Sequence, residues 1–172
     1  MMSAQVNGQN WRIGGGFNPY AQIYVSPMAP FQYSLDIRGG STSDLTALGI
    51  KTITITLSAT YLPKIGRHPI NYGLINGRTD PLGPPNPAAH YMTAGIQYEL
   101  LDTSIYQATA TGGMVEITEV SDKYVGGTFE FPAHSINVPP GSNAPSDFTI
   151  AQGQFYARLS ATGQDVVWDG VQ

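Results

Sequence analysis

Between Gly112 and Leu159 apolar residues recur at every second position, and no long stretch of the chain keeps the 3.6-residue period of a helix. Met114–Val120 puts Val115 and Ile117 on one face and Glu116 and Thr118 on the other. Ser121-Asp122-Lys123 turns the chain. Tyr124–Phe131 then sets Val125, Phe129 and Phe131 against Thr128 and Glu130, and Phe148–Leu159 alternates again. Successive side chains on a strand project to opposite faces, so this pattern predicts half-buried strands in an antiparallel meander.

The rest of the chain reads the same way. Gln5–Ile13 is strand, turn and strand start, with Asn7-Gly8 the signal of a type I′ hairpin. Ala21–Val25 and Gln32–Ile37 are strands parted by Pro27 and Pro30. Lys51–Ser58 alternates most cleanly, with Ile53, Ile55 and Leu57 inward and Thr52, Thr54 and Thr56 outward. A single threonine ladder is β-propensity on a solvated face; ice binding would need it repeated on neighbouring strands. Tyr91–Leu101 and Ser104–Thr109 follow, with Gly95 as a bulge. Ser43–Leu48 has room for one helical turn, and Asn76-Gly77 for a hairpin tip. Two Pro/Gly-rich stretches, 79–90 and 135–147, cannot carry a continuous ladder and are long loops.

These segments predict a single all-β domain over residues 1–172, of about eight to ten strands: an antiparallel β-sandwich or flattened, partly open β-barrel with long Pro/Gly-rich loops and little helix. Its core should hold Ile53, Ile55, Leu57, Val115, Ile117, Phe129, Phe131, Ile150 and Phe155. Residues 164–172, with Val166, Val167 and Trp168, form an edge strand or a docking tail.

Composition narrows function by exclusion. Charged residues are 12% of the chain, about half the roughly 25% usual in soluble domains. The eight Lys and Arg are scattered and the net charge is −4, so the clustered base of a nucleic-acid footprint is missing. No apolar run is long enough for a spanning helix. There is no cysteine, which removes disulfides, thiol catalysis and Cys-type zinc sites. Gly14-Gly15-Gly16 is followed by neither GK[ST] nor a helix, so it is a bent link and not a phosphate loop. His68, His90 and His134 lie in or beside proline-rich loops without ligand spacing, and read as exposed or singly bonded. No nucleophile elbow occurs, and Glu116, Glu119 and Glu130 read as solubilising strand residues. No catalytic, cofactor or metal residue is therefore assigned, and no enzyme is expected.

Ten tyrosines are spread over the chain. Most belong to strands by propensity. Tyr20, Tyr72 and Tyr91, beside Pro/Gly loops, and Trp168 in the tail are the candidate interaction residues, since such side chains offer rigid contact area.

The segments Thr111–Val120, Tyr124–Ala133 and Phe148–Phe155, with Val6-Asn-Gly-Gln-Asn-Trp11, resemble a family of small all-β domains of unknown function. These occur mostly in lipoproteins and secreted proteins of Bacteroidota-type bacteria. The shared pattern is G-x-V-x-I-T, then G-T-F-x-F, then I-x-x-G-x-F. The resemblance implies a β-sandwich or partly open barrel and no activity. The family begins with a lipoprotein signal and a lipid-carrying Cys; this sequence has neither, and its loops at 79–90 and 135–147 are longer. The expected role is a non-catalytic structural or protein-interaction module in an extracellular or cell-surface assembly, with a cytoplasmic place left open. Its partners would be itself or other protein subunits. The alternative is a small-ligand or glycan binder using the aromatic loops.

Overall fold

The computed structural model describes residues 1–13, 20–25, 33–40, 49–59, 65–70, 90–99, 105–121, 123–136 and 138–162. Among them are eleven strands and no helix. They are β1 (Met2–Val6), β2 (Gln9–Arg12), β3 (Tyr20–Val25), β4 (Tyr33–Gly40), β5 (Ile50–Ala59), β6 (Gly66–Pro69), β7 (His90–Glu99), β8 (Ile105–Ala110), β9 (Met114–Val120), β10 (Tyr124–Ile136) and β11 (Asp147–Thr162). The helical turn expected at 43–48, the hairpin tip at 76–77 and the tail from 164 lie outside the described residues.

The hydrogen-bonded order is β2-β1-β11-β3-β4-β5-β7-β8-β10-β9-β6, and β10 also pairs with β11. That extra ladder curls the sheet on itself. Stepping from β11 through β3, β4, β5, β7 and β8 to β10 returns to β11. Every ladder is antiparallel except β11 with β3. The fold is thus all-β, a curled sheet in the form of a partly open barrel.

The curl depends on two long strands, β10 with 13 residues and β11 with 16. Each changes partner part-way along its outer edge. β10 pairs with β9 through Val125–Glu130 and then with β8 through Ala133–Ile136. β11 pairs with β1 through Ile150–Phe155 and then with β3 through Arg158–Thr162. Pro132 occupies the handover on β10, where neither β9 nor β8 is in register, and its carbonyl accepts a bond from the Thr111 amide at 3.0 Å. A residue without an N–H is tolerated there because the outer ladder is interrupted. The strand consequently runs five residues past Phe131, so the loop expected at 135–147 gives up Ser135, Ile136 and Asp147 to strands.

The inward positions fit the alternation, with three breaks of parity. Ile150 and Phe155 lie an odd number of residues apart, yet both are buried. A bulge makes this possible: Phe131 faces Ile150 and Phe129 faces Gly153, so Ala151 and Gln152 together oppose Glu130. Gln152 takes φ +50°, the left-handed conformation of an extra bulge residue. Ile117 and Val120 are reconciled by a shift in the β9–β10 ladder, and Ile50 and Ile53 by one at Lys51. The bulge of that region is therefore at Lys51. Gly95 pairs regularly, and its value is close approach, because a Cβ there would come within 3.1 Å of the Ala108 carbonyl. Thr52 is buried, where an outward, solvated position was expected. Thr54 stands between Arg38 and Gly95, so the threonine ladder is not repeated across the sheet.

The predicted core holds: Ile53, Ile55, Val115, Ile117, Phe129, Phe131, Ile150 and Phe155 are all buried, while the side chain of Leu57 lies outside the described set. Burying each such side chain contributes about 1.5 to 3 kcal/mol. Within the hairpin, glycine repeatedly faces an aromatic ring. Gly127 pairs with Phe155, Gly153 with Phe129 and Gly126 with Tyr156. Each ring lies over its glycine, where a Cβ would collide with it or press against it. Two polar anchors join the halves of the sheet. Trp11 is buried and donates its indole N–H to the Ile50 carbonyl at 3.1 Å. Tyr98 is buried against Phe148, with ring centroids 5.0 Å apart, and its hydroxyl donates to Ser135 Oγ at 2.9 Å.

Candidate binding face

Of the four candidate interaction residues, the two on described strands, Tyr20 and Tyr91, stand apart. Tyr20 opens β3, in register with Arg158 and Arg38, and Tyr91 lies in β7 opposite Ser58. With β4 and β5 between them, they are separated by three strand steps, about 14 Å across the sheet at the usual interstrand spacing, and by four residues along the strands, since the register carries Tyr20 to Gly95. Tyr72 and Trp168 lie outside the described residues.

The histidines lie on strands and not on loops. His68, expected to be exposed or singly bonded, is buried in β6, because its parity on that strand faces inward with Ile70. His90 begins β7. His134 is exposed on β10, and its Nδ1 lies 2.9 Å from Asp147 Oδ1. That bond and one from the Ser146 hydroxyl hold the Asp147 carboxyl below the usual aspartate range. No group of three or more His, Asp or Glu side chains among the described residues could hold a metal ion. No helix among them is long and apolar enough to cross a membrane.

What the ladders do bring together is a row of polar side chains. Across β2-β1-β11-β10-β9-β6, successive register partners are Arg12, Ser3, Gln154, Thr128, Glu116 and Arg67. Five of these are exposed and Ser3 is half-buried, so all six belong to the outer face. Six strands at about 4.8 Å spacing make a row about 24 Å long. A second row begins with Asn10, Gln5 and Ala151 and resumes across the bulge with Glu130 and Met114.

Two open grooves run along these rows. One, of about 580 Å³, is bounded by residues that include Ser3, Gln5, Asn10 and Arg12. The other, of about 450 Å³, is bounded by residues that include Arg67, Glu116, Thr128 and Glu130. Gln152 and Gln154 border both, forming the ridge between them. The bulge puts Gln152 there: without the inserted residue, the parity that buries both Ile150 and Phe155 would fail.

At one end of the face, Tyr156 follows Gln154 on the same side of β11. Its ring stacks on Tyr124, centroids 5.0 Å apart and planes 17° from parallel. Both rings are more than a third exposed. Partial burial and then the nearby Glu119 and Tyr124 raise the pKa of the Tyr156 hydroxyl. Glu116, Thr128 and Glu130 are legible as outward in their own strands, whereas Ser3 and Arg67 lie on strand residues that the sequence pattern does not mark. The alignment of the row is not legible, since it joins positions from Ser3 to Gln154 through registers set by bulges and long-range ladders.

Searches of protein-family models, curated proteins and solved structures find no match to the chain.

Proposed function

We propose that this chain is a non-catalytic binding module, whose working surface is the outer face of β2-β1-β11-β10-β9-β6, acting in an extracellular or cell-surface setting. The observation that carries the reading is the six-strand row from Arg12 to Arg67, which lines two adjacent grooves. Such a surface offers many hydrogen-bonding groups and carries charged side chains, Arg12, Glu116, Glu130 and Arg67, among them. The centre of a stable protein interface is apolar, with charged groups depleted. A bound ligand is thus favoured here over a large subunit contact. The low charged fraction of the chain suits an extracytoplasmic place.

An NMR titration tests this. The ¹⁵N-labelled protein is titrated with three pools: neutral oligosaccharides, acidic oligosaccharides and extended soluble peptides. One pool should shift the amides of Ser3, Thr128 and Glu116 and the side-chain amide of Gln154, leaving His134 unmoved, and the ligand should be recovered chemically unchanged. No shift from any pool, shifts confined to another surface, or conversion of the ligand would overturn the reading.

A further inference from the structure

We infer that the occupant of this face is a neutral glycan chain lying across the strands, with its hydroxyls bonded along the Ser3–Gln154–Thr128 row and a sugar ring packed on the Tyr156–Tyr124 pair. The inference rests on the binding-module reading above and adds the ligand class.

Four observations converge on it. The first is the chemistry of the row. Ser and Thr hydroxyls and Gln carboxamides each present donors and acceptors together. A sugar hydroxyl does the same, so every hydroxyl of a chain can be met either way. The second is charge. A polyanion would run past Glu116 and Glu130, and a polycation past Arg12 and Arg67, all on the same face. With both signs present and the centre of the row uncharged, a neutral chain meets the least opposition. The third is shape. Small ligands are buried for most of their surface in enclosed pockets. The grooves here are open and lie side by side, sharing Gln152 and Gln154, which suits the middle of a polymer that continues past both edges.

The fourth is the aromatic pair. Tyr156 lies against Gly126, where an added Cβ would be 3.0 Å from its ring, and its ring stacks on that of Tyr124. An exposed ring held in one orientation beside a row of carboxamides can take the C–H face of a sugar at little entropic cost. An extended peptide would instead seek a sheet edge for backbone pairing. The outermost strands of this face, β2 and β6, have four residues each, and carry Arg12 and Pro69, features that blunt an edge. Gln152 is held at φ +50° on the ridge between the grooves, a backbone cost that is expected where a side chain is being aimed.

Affinity gel electrophoresis of the full chain, in gels containing soluble β-glucan, xyloglucan, galactomannan or dextran, tests the inference, with heparin as the charged comparison. At least one neutral polysaccharide should retard the protein, and added salt should not abolish the shift, because no ionic contact drives it. The double variant Gln152→Ala/Gln154→Ala and the single variant Tyr156→Ala should each raise the dissociation constant by about tenfold or more, equivalent to roughly 1.4 kcal/mol. His134→Ala, at the other end of the hairpin, should bind as the parent does. Circular dichroism checks that each variant is folded; if the double variant is not, Thr128→Ala takes its place. Retardation by none of the four, retardation by heparin alone, or full affinity in the folded variants would overturn the inference. Should the peptide pool shift Ser3, Thr128 and Gln154 while no neutral sugar binds, the glycan assignment falls and the binding-module reading stands.

Discussion

Gln152 and Gly153 are neighbours in the β11 bulge, and substitutions there should move stability in opposite directions. An alanine Cβ at Gly153 would lie 2.5 Å from two carbons of the Phe129 ring and 2.5 Å from the Phe129 carbonyl oxygen. Ordinary carbon contacts are about 3.5 to 4.0 Å, so the shortfall is at least about 1 Å. Neither neighbour can yield easily. The ring is 3% exposed and sits among Phe131 and Phe155, with centroids 6.1 and 6.4 Å away. The carbonyl belongs to the ladder that sets the bulge register. Gly153→Ala should therefore cost close to 3 kcal/mol, the upper end of the usual overpacking range. At Gln152 the residue is strained instead of crowded. Replacing it by glycine relieves roughly 1 to 3 kcal/mol of left-handed strain and gives back roughly 0.4 to 1 kcal/mol in unfolded-state entropy. Gln152→Gly should stabilise by about 0.5 to 2 kcal/mol. In a chain of this size each kcal/mol moves the melting temperature by about 2 to 4 °C. Urea titrations of the parent and both variants, with unchanged m-values, measure the two effects. A neutral Gly153→Ala would refute the packing of Phe129 over β11, and a destabilising Gln152→Gly would refute the bulge conformation.

Three further outcomes are expected. Trp11→Phe removes the indole bond to the Ile50 carbonyl and shrinks a fully buried side chain, and should lower unfolding free energy by roughly 1 to 3 kcal/mol in the same titrations. Tyr98→Phe removes only the hydroxyl bond to Ser135 Oγ, which keeps its bond to the Pro145 carbonyl; thermal melts should show a loss of about 0.5 to 1.5 kcal/mol. Because the bond from His134 lowers the Asp147 pKa in the folded state, its small contribution is present above the unfolded aspartate pKa and is lost as pH falls through the folded one. An NMR titration should find that pKa depressed in the parent and raised in His134→Ala, with the Ser146 bond still holding part of the depression.

The glycine–aromatic pairs explain how one hairpin can serve two halves of a sheet. β10 and β11 must bend as their outer partners change, and bulges and glycines allow a strand to do so. A glycine leaves a gap in the packed face, which the facing aromatic covers. Gly127 under Phe155 and Gly153 under Phe129 thus keep the inner face closed along the bend.

Apart from β6, the strands, many of their inward faces and the Asn7-Gly8 turn were legible in the sequence because each depends on residues a few positions apart. Asn7 and Gly8 both take positive φ, as that dipeptide favours, and Val125, Phe129 and Phe131 all face inward. An all-β fold follows from such local alternation. Which strands become neighbours is another matter, because ladder partners such as Ser3 and Gln154 lie at opposite ends of the chain and no local preference couples them. The tertiary structure alone decided that β11 would take β1 and β3 in turn, that Pro132 would stand inside a strand, and that His68 and Thr52 would be buried. It also set the parity breaks at Lys51 and Gln152. A one-residue shift reverses every side chain beyond it, and only the packing of the opposite wall selects where that shift occurs. The binding face depends on those same shifts, so strand patterning could mark Glu116, Thr128 and Gln154 as outward but could not bring them into one row.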